Sequence, residues 1–285
     1  MPSGKRARQQ RQQAAAAPPP VRAKGARPAS PRTLWIVGGV ILVVIIAVVL
    51  GISLSGSSAN AATIGVPSET PTLGSSTKTN ALGGPMPGAA DVAKMLNGIP
   101  QKGLVLGDPN APVQLTEFID LQCPACQQFE TTELETLLKD YVRTNKMSIK
   151  MQPWRILDRT STEFDSLRGQ KATIAASMQN KAFNFAQNLY NNQGVEDTGW
   201  LTNVAIANIA SSVDGLDTRR LVSDANGPAT ANTIKTIDAL GTAGQYSATP
   251  TILLAKLGQT PKVVSSGTPD LTTLKGQIDA LLAKK

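Results

Sequence analysis

The chain has 285 residues, with 28 Lys plus Arg against 20 Asp plus Glu, no histidine and two cysteines. The lack of histidine excludes Ser-His-Asp and Cys-His hydrolases, zincin-type metalloproteases, histidine-ligated copper or haem, and imidazole pH switches. Two cysteines build neither a disulfide scaffold nor a four-cysteine zinc site.

The net charge of +8 suggests a nucleic-acid partner until the charges are placed along the chain. Lys5, Arg6, Arg8, Arg11, Arg22, Lys24, Arg27 and Arg32 lie in residues 1–33, which hold no acidic side chain. The rest of the chain carries 20 basic and 20 acidic residues, with no basic stripe and few aromatics to stack on bases. Residues 1–33, which include the low-complexity run QQRQQAAAAPPP, read as a disordered basic tail suited to anionic lipid at the cytoplasmic face.

Residues 34–54 read as a transmembrane helix. From Leu34 to Ile52 the run LWIVGGVILVVIIAVVLGI has no charge, and at ~1.5 Å per residue it spans roughly 28 Å of hydrocarbon. The positive charges precede it, and the first charges after it are Glu69 and Lys78, so the N-terminus is expected in the cytoplasm and the rest outside. Ala59-Asn60-Ala61 has the form of a signal-peptidase site, which leaves a cleaved signal as the alternative to a single-pass signal-anchor. Residues 55–99, dominated up to about 89 by Ser, Gly, Thr, Ala and Pro, read as a flexible linker, with a short helical turn at Asp91 to Leu96.

A folded domain is expected over 100–285. After a turn at Gly107 to Pro112, VQLTEFID from Val113 to Asp120 has strand composition and alternation. Cys123-Pro124-Ala125-Cys126 follows, and the spacing of Phe129, Leu134, Leu137, Leu138, Tyr141 and Val142 predicts one helix to about Thr144, with Pro124 in its first turn. A second strand is expected at Met147 to Gln152. A mostly helical stretch over about 160–240 follows, with helices around 173–179, up to Gln193, and at 201–212, 218–224 and 230–240. Strands at Thr251 to Leu254 and Lys262 to Ser265 and a helix from Leu271 to Leu282 end the chain.

A disulfide between cysteines three apart closes too small a loop to stabilise a fold much and is somewhat strained, so the pair suits exchange better than stapling. At a helix start, free N–H groups and the helix dipole favour the thiolate of Cys123, while Cys126, one turn inside, would be shielded and resolve the mixed disulfide. A structural disulfide, half a zinc site or two unrelated buried thiols are the alternatives. Alternation places Glu117 with Val113, Leu115 and Ile119, so that a carboxyl projects from an apolar face. It is either a solvated edge residue or a buried group that modulates the thiols. Asp120 is its rival but reads as a loop or helix-start residue.

TEFIDLQCPACQQFE, the long helical stretch and GQYSATPTILL together resemble the DsbA-like branch of the thioredoxin superfamily, over about 100–285. The resemblance implies an α/β thioredoxin-like fold with a helical insertion and thiol-disulfide oxidoreductase activity. It further implies Cys123 as nucleophile, Cys126 as resolving thiol, and a cis Pro250, preceded by Thr249, facing them. It also matches Glu117 to a buried acid before the cysteine pair. Many members carry histidine where this chain has Ala125, a departure that removes one thiolate-stabilising partner. No soluble cofactor or metal is expected. Exported proteins would be the substrates, and a quinone-linked membrane oxidase would reoxidise the pair. The leading expectation is a membrane-anchored dithiol oxidase. A reductase or isomerase of the same fold, or a non-enzymatic thioredoxin-like binding module, are the alternatives.

Overall fold

The computed structural model describes residues 85–159 and 162–284. The basic tail, the apolar run from Leu34 to Ile52, Ala59-Asn60-Ala61 and most of the linker lie outside the described residues. Among the described residues, no helix is long and apolar enough to cross a membrane.

The chain enters the fold through α1 (Ala89–Leu96), then two short strands, β1 (Gln101–Lys102) and β2 (Val105–Leu106). The linker expected over 55–99 therefore stops short of α1. Val92, Leu96 and Ile99 are buried in the main core, and Asn192 donates to the Pro87 carbonyl at 2.9 Å, tying this segment to the folded body. Composition misplaced the boundary because one short amphipathic helix in a Gly- and Pro-rich context carries little periodic signal. The β1–β2 hairpin was not expected either. Two-residue strands show no alternation, and the turn depends on Gly103 at φ 58.

β3 (Val113–Ile119) and β4 (Met147–Pro153) run parallel, from Val113 opposite Met147 to Ile119 opposite Pro153. β5 (Thr251–Lys256) lies antiparallel on the other side of β3, with Thr116 opposite Leu253, and β6 (Lys262–Ser266) forms the far edge. The sheet order is β1-β2-β4-β3-β5-β6. β3 and β5 are mostly buried on both faces; this fits the continuous apolar run Ile252 to Ala255 in β5, whereas β3 alternates and buries Thr116 and Glu117 as well. The exposed Lys262 protects the outer edge from pairing with another strand.

The helix after the cysteines is not continuous to Thr144. It divides into α2 (Pro124–Thr132), α3 (Leu134–Leu137) and a π-helical turn at Leu138–Val142, where Arg143 N–H bonds the Leu138 carbonyl. Thr131 and Thr132 hydroxyls donate to the Gln127 and Gln128 carbonyls, a back-bonding pattern that bends helices, and the wider turn directs both Tyr141 and Val142 into the core.

Between β4 and β5 come a 3-10 turn at Leu157–Arg159 and the helices α4 (Asp165–Ser177), α5 (Ala182–Asn191), α6 (Asn203–Ser211), α7 (Thr218–Ala225) and α8 (Pro228–Ala243). This is the helical insertion. α4 is buried along almost its whole length, because it lies between the rest of the insertion and the sheet. A second apolar cluster of Phe118, Trp154, Leu167, Ile174, Ile234, Ile237 and Leu253 joins one sheet face to α4 and α8. Within it Phe118 meets Trp154 and Tyr246 edge to face, with centroids 6.0 and 4.9 Å apart. The chain closes with α9 (Leu271–Ala283), whose Leu274 and Ile278 enter the main core and whose first turn is capped by Asp270, accepting from Thr273 N–H at 2.7 Å.

Candidate active site

β3 ends in the sheet centre, and the chain turns through Asp120, Leu121 and Gln122 into α2. Cys123 is the N-cap of α2 in an extended conformation, and Pro124 occupies the first turn, where its missing N–H costs nothing. Cys126, one turn on, faces the core. Both are thiols in this structure. Cys123 is 7% exposed and Cys126 0%, so the expected order holds, but Cys123 is far less open than a free nucleophile at a helix tip. The Thr249-Pro250 segment covers it: the peptide bond is cis, and the Cys123 Sγ lies 3.4 Å from the Thr249 carbonyl.

The Cys123 thiol is held down to about 6, chiefly by a hydrogen bond from the Cys126 thiol. A hydrogen bond from the Thr249 side chain and the backbone N–H groups of Cys126 and Ala125 add to this, while partial burial opposes it. The missing histidine at Ala125 is thus offset by backbone and thiol donors. A thiol donating to the Thr249 carbonyl would favour the protonated form. The several donors aimed at the sulfur outweigh that one acceptor. Burial pushes Cys126 well above the ordinary thiol range, with the charges of Cys123 and Asp120 adding to it.

Glu117 is fully buried on the apolar face with Val113, Leu115 and Ile119, so it is no solvated edge residue. Its partner is Glu130 on α2, also buried. Neither oxygen of Glu117, nor Oε1 of Glu130, meets a donor from any other residue, and the two carboxyls hydrogen-bond each other, which requires a shared proton. The Gln187 amide donates to the other Glu130 oxygen. Burial holds Glu117 well above the carboxylate range and Glu130 at about 7.

Asp120 lies in the loop between β3 and α2, as its sequence position suggests, yet solvent does not reach it. It is fully buried, and its carboxyl accepts from Gln122 N–H at 3.1 Å, Leu157 N–H at 3.0 Å and the Ser166 hydroxyl at 2.8 Å. Burial nonetheless raises it to about 7. Its carbonyl accepts from Cys123 N–H and from the buried Tyr190 hydroxyl of α5. Gln122, likewise buried, donates to the Ser166 hydroxyl at 2.8 Å, faces Asp158 and Asp197 at 3.3 Å, and accepts from Asp197 N–H. The insertion thereby grips the turn that carries Cys123.

Sequence reading passed over Glu130, Tyr190 and Gln122. Glu130 had a signal: it lies four residues after Cys126 and so on the same face of α2. Tyr190 and Gln122 had none, since their partners are distant in sequence. Among the described residues, no group of three or more Cys, Asp or Glu is arranged to hold a metal ion.

A family model described as "Thioredoxin" matches residues 100–258, more than half of the chain, and the chain belongs to the thioredoxin family. Two curated relatives, each described as "Probable disulfide bond formation protein D", come from Bacillus anthracis and Bacillus cereus. They are 27% identical over 104 residues and 30% over 99 residues, covering 36% and 34% of this chain and 46% and 44% of theirs. The chain therefore spans less than half the length of these relatives. Among solved structures, BdbD from Bacillus subtilis, in its oxidised form, superposes with TM-score 0.54 at 20% identity, over 65% of this chain and 97% of that one. Wolbachia pipientis alpha-DsbA1 gives TM-score 0.54 at 18% identity, over 66% and 92%. The thioredoxin-like fold with a helical insertion is thus shared with DsbA structures.

Proposed function

We propose that this chain is a membrane-anchored thiol-disulfide oxidoreductase that acts as a dithiol oxidase on exported proteins. The observation that carries the reading is the asymmetry of the pair: Cys123 is held as a thiolate near neutral pH, while Cys126 is buried and kept protonated. A stabilised thiolate favours the reduced form, which makes the corresponding disulfide an oxidant. The two Bacillus relatives, described as probable disulfide bond formation proteins, support the same direction.

In the oxidised protein a substrate thiolate attacks the Cys123 sulfur, and the electron pair of the broken bond passes to Cys126. A second substrate thiolate then attacks the substrate sulfur of the mixed disulfide. The substrate leaves oxidised, and Cys123 departs as its stabilised thiolate. Thr249 and Pro250 form the surface beside Cys123 on which the substrate chain docks. The shared proton of Glu117 and Glu130 limits the buried charge under the site to one instead of two. Residues 34–54 anchor the chain, residues 1–33 remain in the cytoplasm, and the thioredoxin-like domain works outside. A quinone-linked membrane oxidase returns the pair to the disulfide.

Equilibration of the full chain with glutathione redox buffers tests the direction. An oxidase should be half-oxidised at a potential less negative than about −200 mV. A value near −270 mV, as in thioredoxin, would instead identify a reductase. Absence of any disulfide exchange above that of free dithiol would identify a binding module.

A further inference from the structure

Breaking the Cys123-Cys126 bond places an electron pair on a sulfur with 0% exposure, and something must neutralise or relocate that charge. Glu117 is poorly suited to receive it, because neither of its oxygens meets a donor other than Glu130. Asp120 is the opposite case. Its carboxylate is met by the Ser166 hydroxyl and by the N–H groups of Leu157 and Gln122, and its backbone hydrogen-bonds the Cys126 sulfur. A charge leaving Cys126 for Asp120 moves from a site with few donors to one with three.

Resting on the thiol-exchange reading above, we infer that Asp120 and Cys126 share a single buried negative charge. Asp120 is then the positioning residue that gives up a proton as charge leaves Cys126 and takes one up as charge returns there. When a thiolate opens the disulfide, the electron pair goes to Cys126, the proton of the neutral Asp120 carboxyl ends on that sulfur, and Asp120 is left as a carboxylate. When Cys126 attacks a mixed disulfide at Cys123, its proton ends on Asp120, the Cys126-Cys123 bond forms and the bound thiol leaves as thiolate. No further oxidant or reductant enters either step.

The groups that face Asp120 are few. Asp158 comes from the 3-10 turn, and Cys123 and Cys126 from the start of α2. Tyr190 reaches in from α5, held well above its usual range by burial and by Cys126, Glu130, Asp120 and Cys123 around it. From α4 the contact is the uncharged Ser166, since Asp165 accepts instead from the Gly199 and Leu201 N–H groups. The charge of Asp158 disfavours a second negative charge beside Asp120, whereas Tyr190 stays a neutral hydroxyl donor to the Asp120 carbonyl.

The reduced full chain mixed with dithionitrobenzoate separates the steps. The first coloured thiolate is released by Cys123, and the second by Cys126 attacking the mixed disulfide, in which Cys123 carries no charge. With one shared charge, the second rate rises with pH to about neutrality and then flattens, because above that point forming the Cys126 thiolate merely moves a proton to Asp120. In Asp120→Asn this plateau should vanish. The rate should keep rising by about tenfold per pH unit, and by pH 8.5 exceed that of the unmodified chain about tenfold or more. Ser166→Ala, which removes one donor to the carboxylate, should move the plateau to higher pH and serves if the first variant fails to fold. A plateau at its original position in either folded variant overturns the inference, as does loss of the plateau in Glu117→Gln alone. If the unmodified chain releases no second thiolate, it is the exchange reading itself that fails.

Discussion

The hydroxyl of Tyr190 donates to the carbonyl of Asp120 at 3.0 Å, and both residues are fully buried. That bond joins α5 of the insertion to the turn between β3 and the cysteines. The same carbonyl holds the Cys123 N–H, so the insertion fixes the position of the nucleophile as well as covering it.

Alkylation of Cys123 by iodoacetamide should rise with pH through about 6 and level off near 7, because the thiolate is the reacting species. Thr249→Val removes a side-chain donor to that thiolate and should shift the midpoint upward. An unchanged midpoint would remove Thr249 from the thiolate's environment.

Cys126→Ala should leave a nucleophile without an internal thiol to release it. Mixed disulfides with exported proteins should then accumulate in cells and disappear on adding dithiothreitol. Cys123→Ala should trap none, since Cys126 is buried and protonated. Equal trapping by the two variants would reverse or void the assigned roles.

Folded Glu117 and Glu130 hold their protons to higher pH than they would in the unfolded chain. Raised carboxyl pKa values contribute stability that is complete below the unfolded value of ~4.3 and is lost as pH rises through the folded values, about 7 for Glu130. The melting temperature should therefore fall between pH 4 and 8. Glu117→Gln places an amide donor beside Glu130 and should flatten that fall, with a gain on the order of 1–3 kcal/mol at pH 8. An equally steep fall in the variant would show that the carboxyl pair does not control it.

A methyl group at Gly169 would sit 2.5 Å from Leu121 Cβ, on the turn that leads to Cys123. Gly169→Ala should cost about 1–3 kcal/mol in denaturant unfolding and lower exchange activity by displacing that turn. Gly276→Ala, on α9 with nothing within 4 Å, should instead stabilise by about 0.5–1 kcal/mol and leave activity unchanged. If both behave alike, close packing of α4 against the turn is not what positions Cys123.

The sequence by itself determined the cysteine pair at a strand-to-helix turn, the central strand, the helical insertion and the apolar-face position of Glu117. Each is written in local spacing: period two in Val113 to Ile119, helical period through 165–243, and a proline in the first turn of α2. Only the tertiary structure decided which groups meet. Glu117 has Glu130 as its partner. Asp120, which reads locally as a loop residue, becomes a buried acid because α4 and the 3-10 turn close over it with Ser166 and Leu157. The start of the folded body at α1 was likewise a matter of packing. Burial and charge pairing depend on residues far apart in the chain, and no local period records which of them the fold brings together.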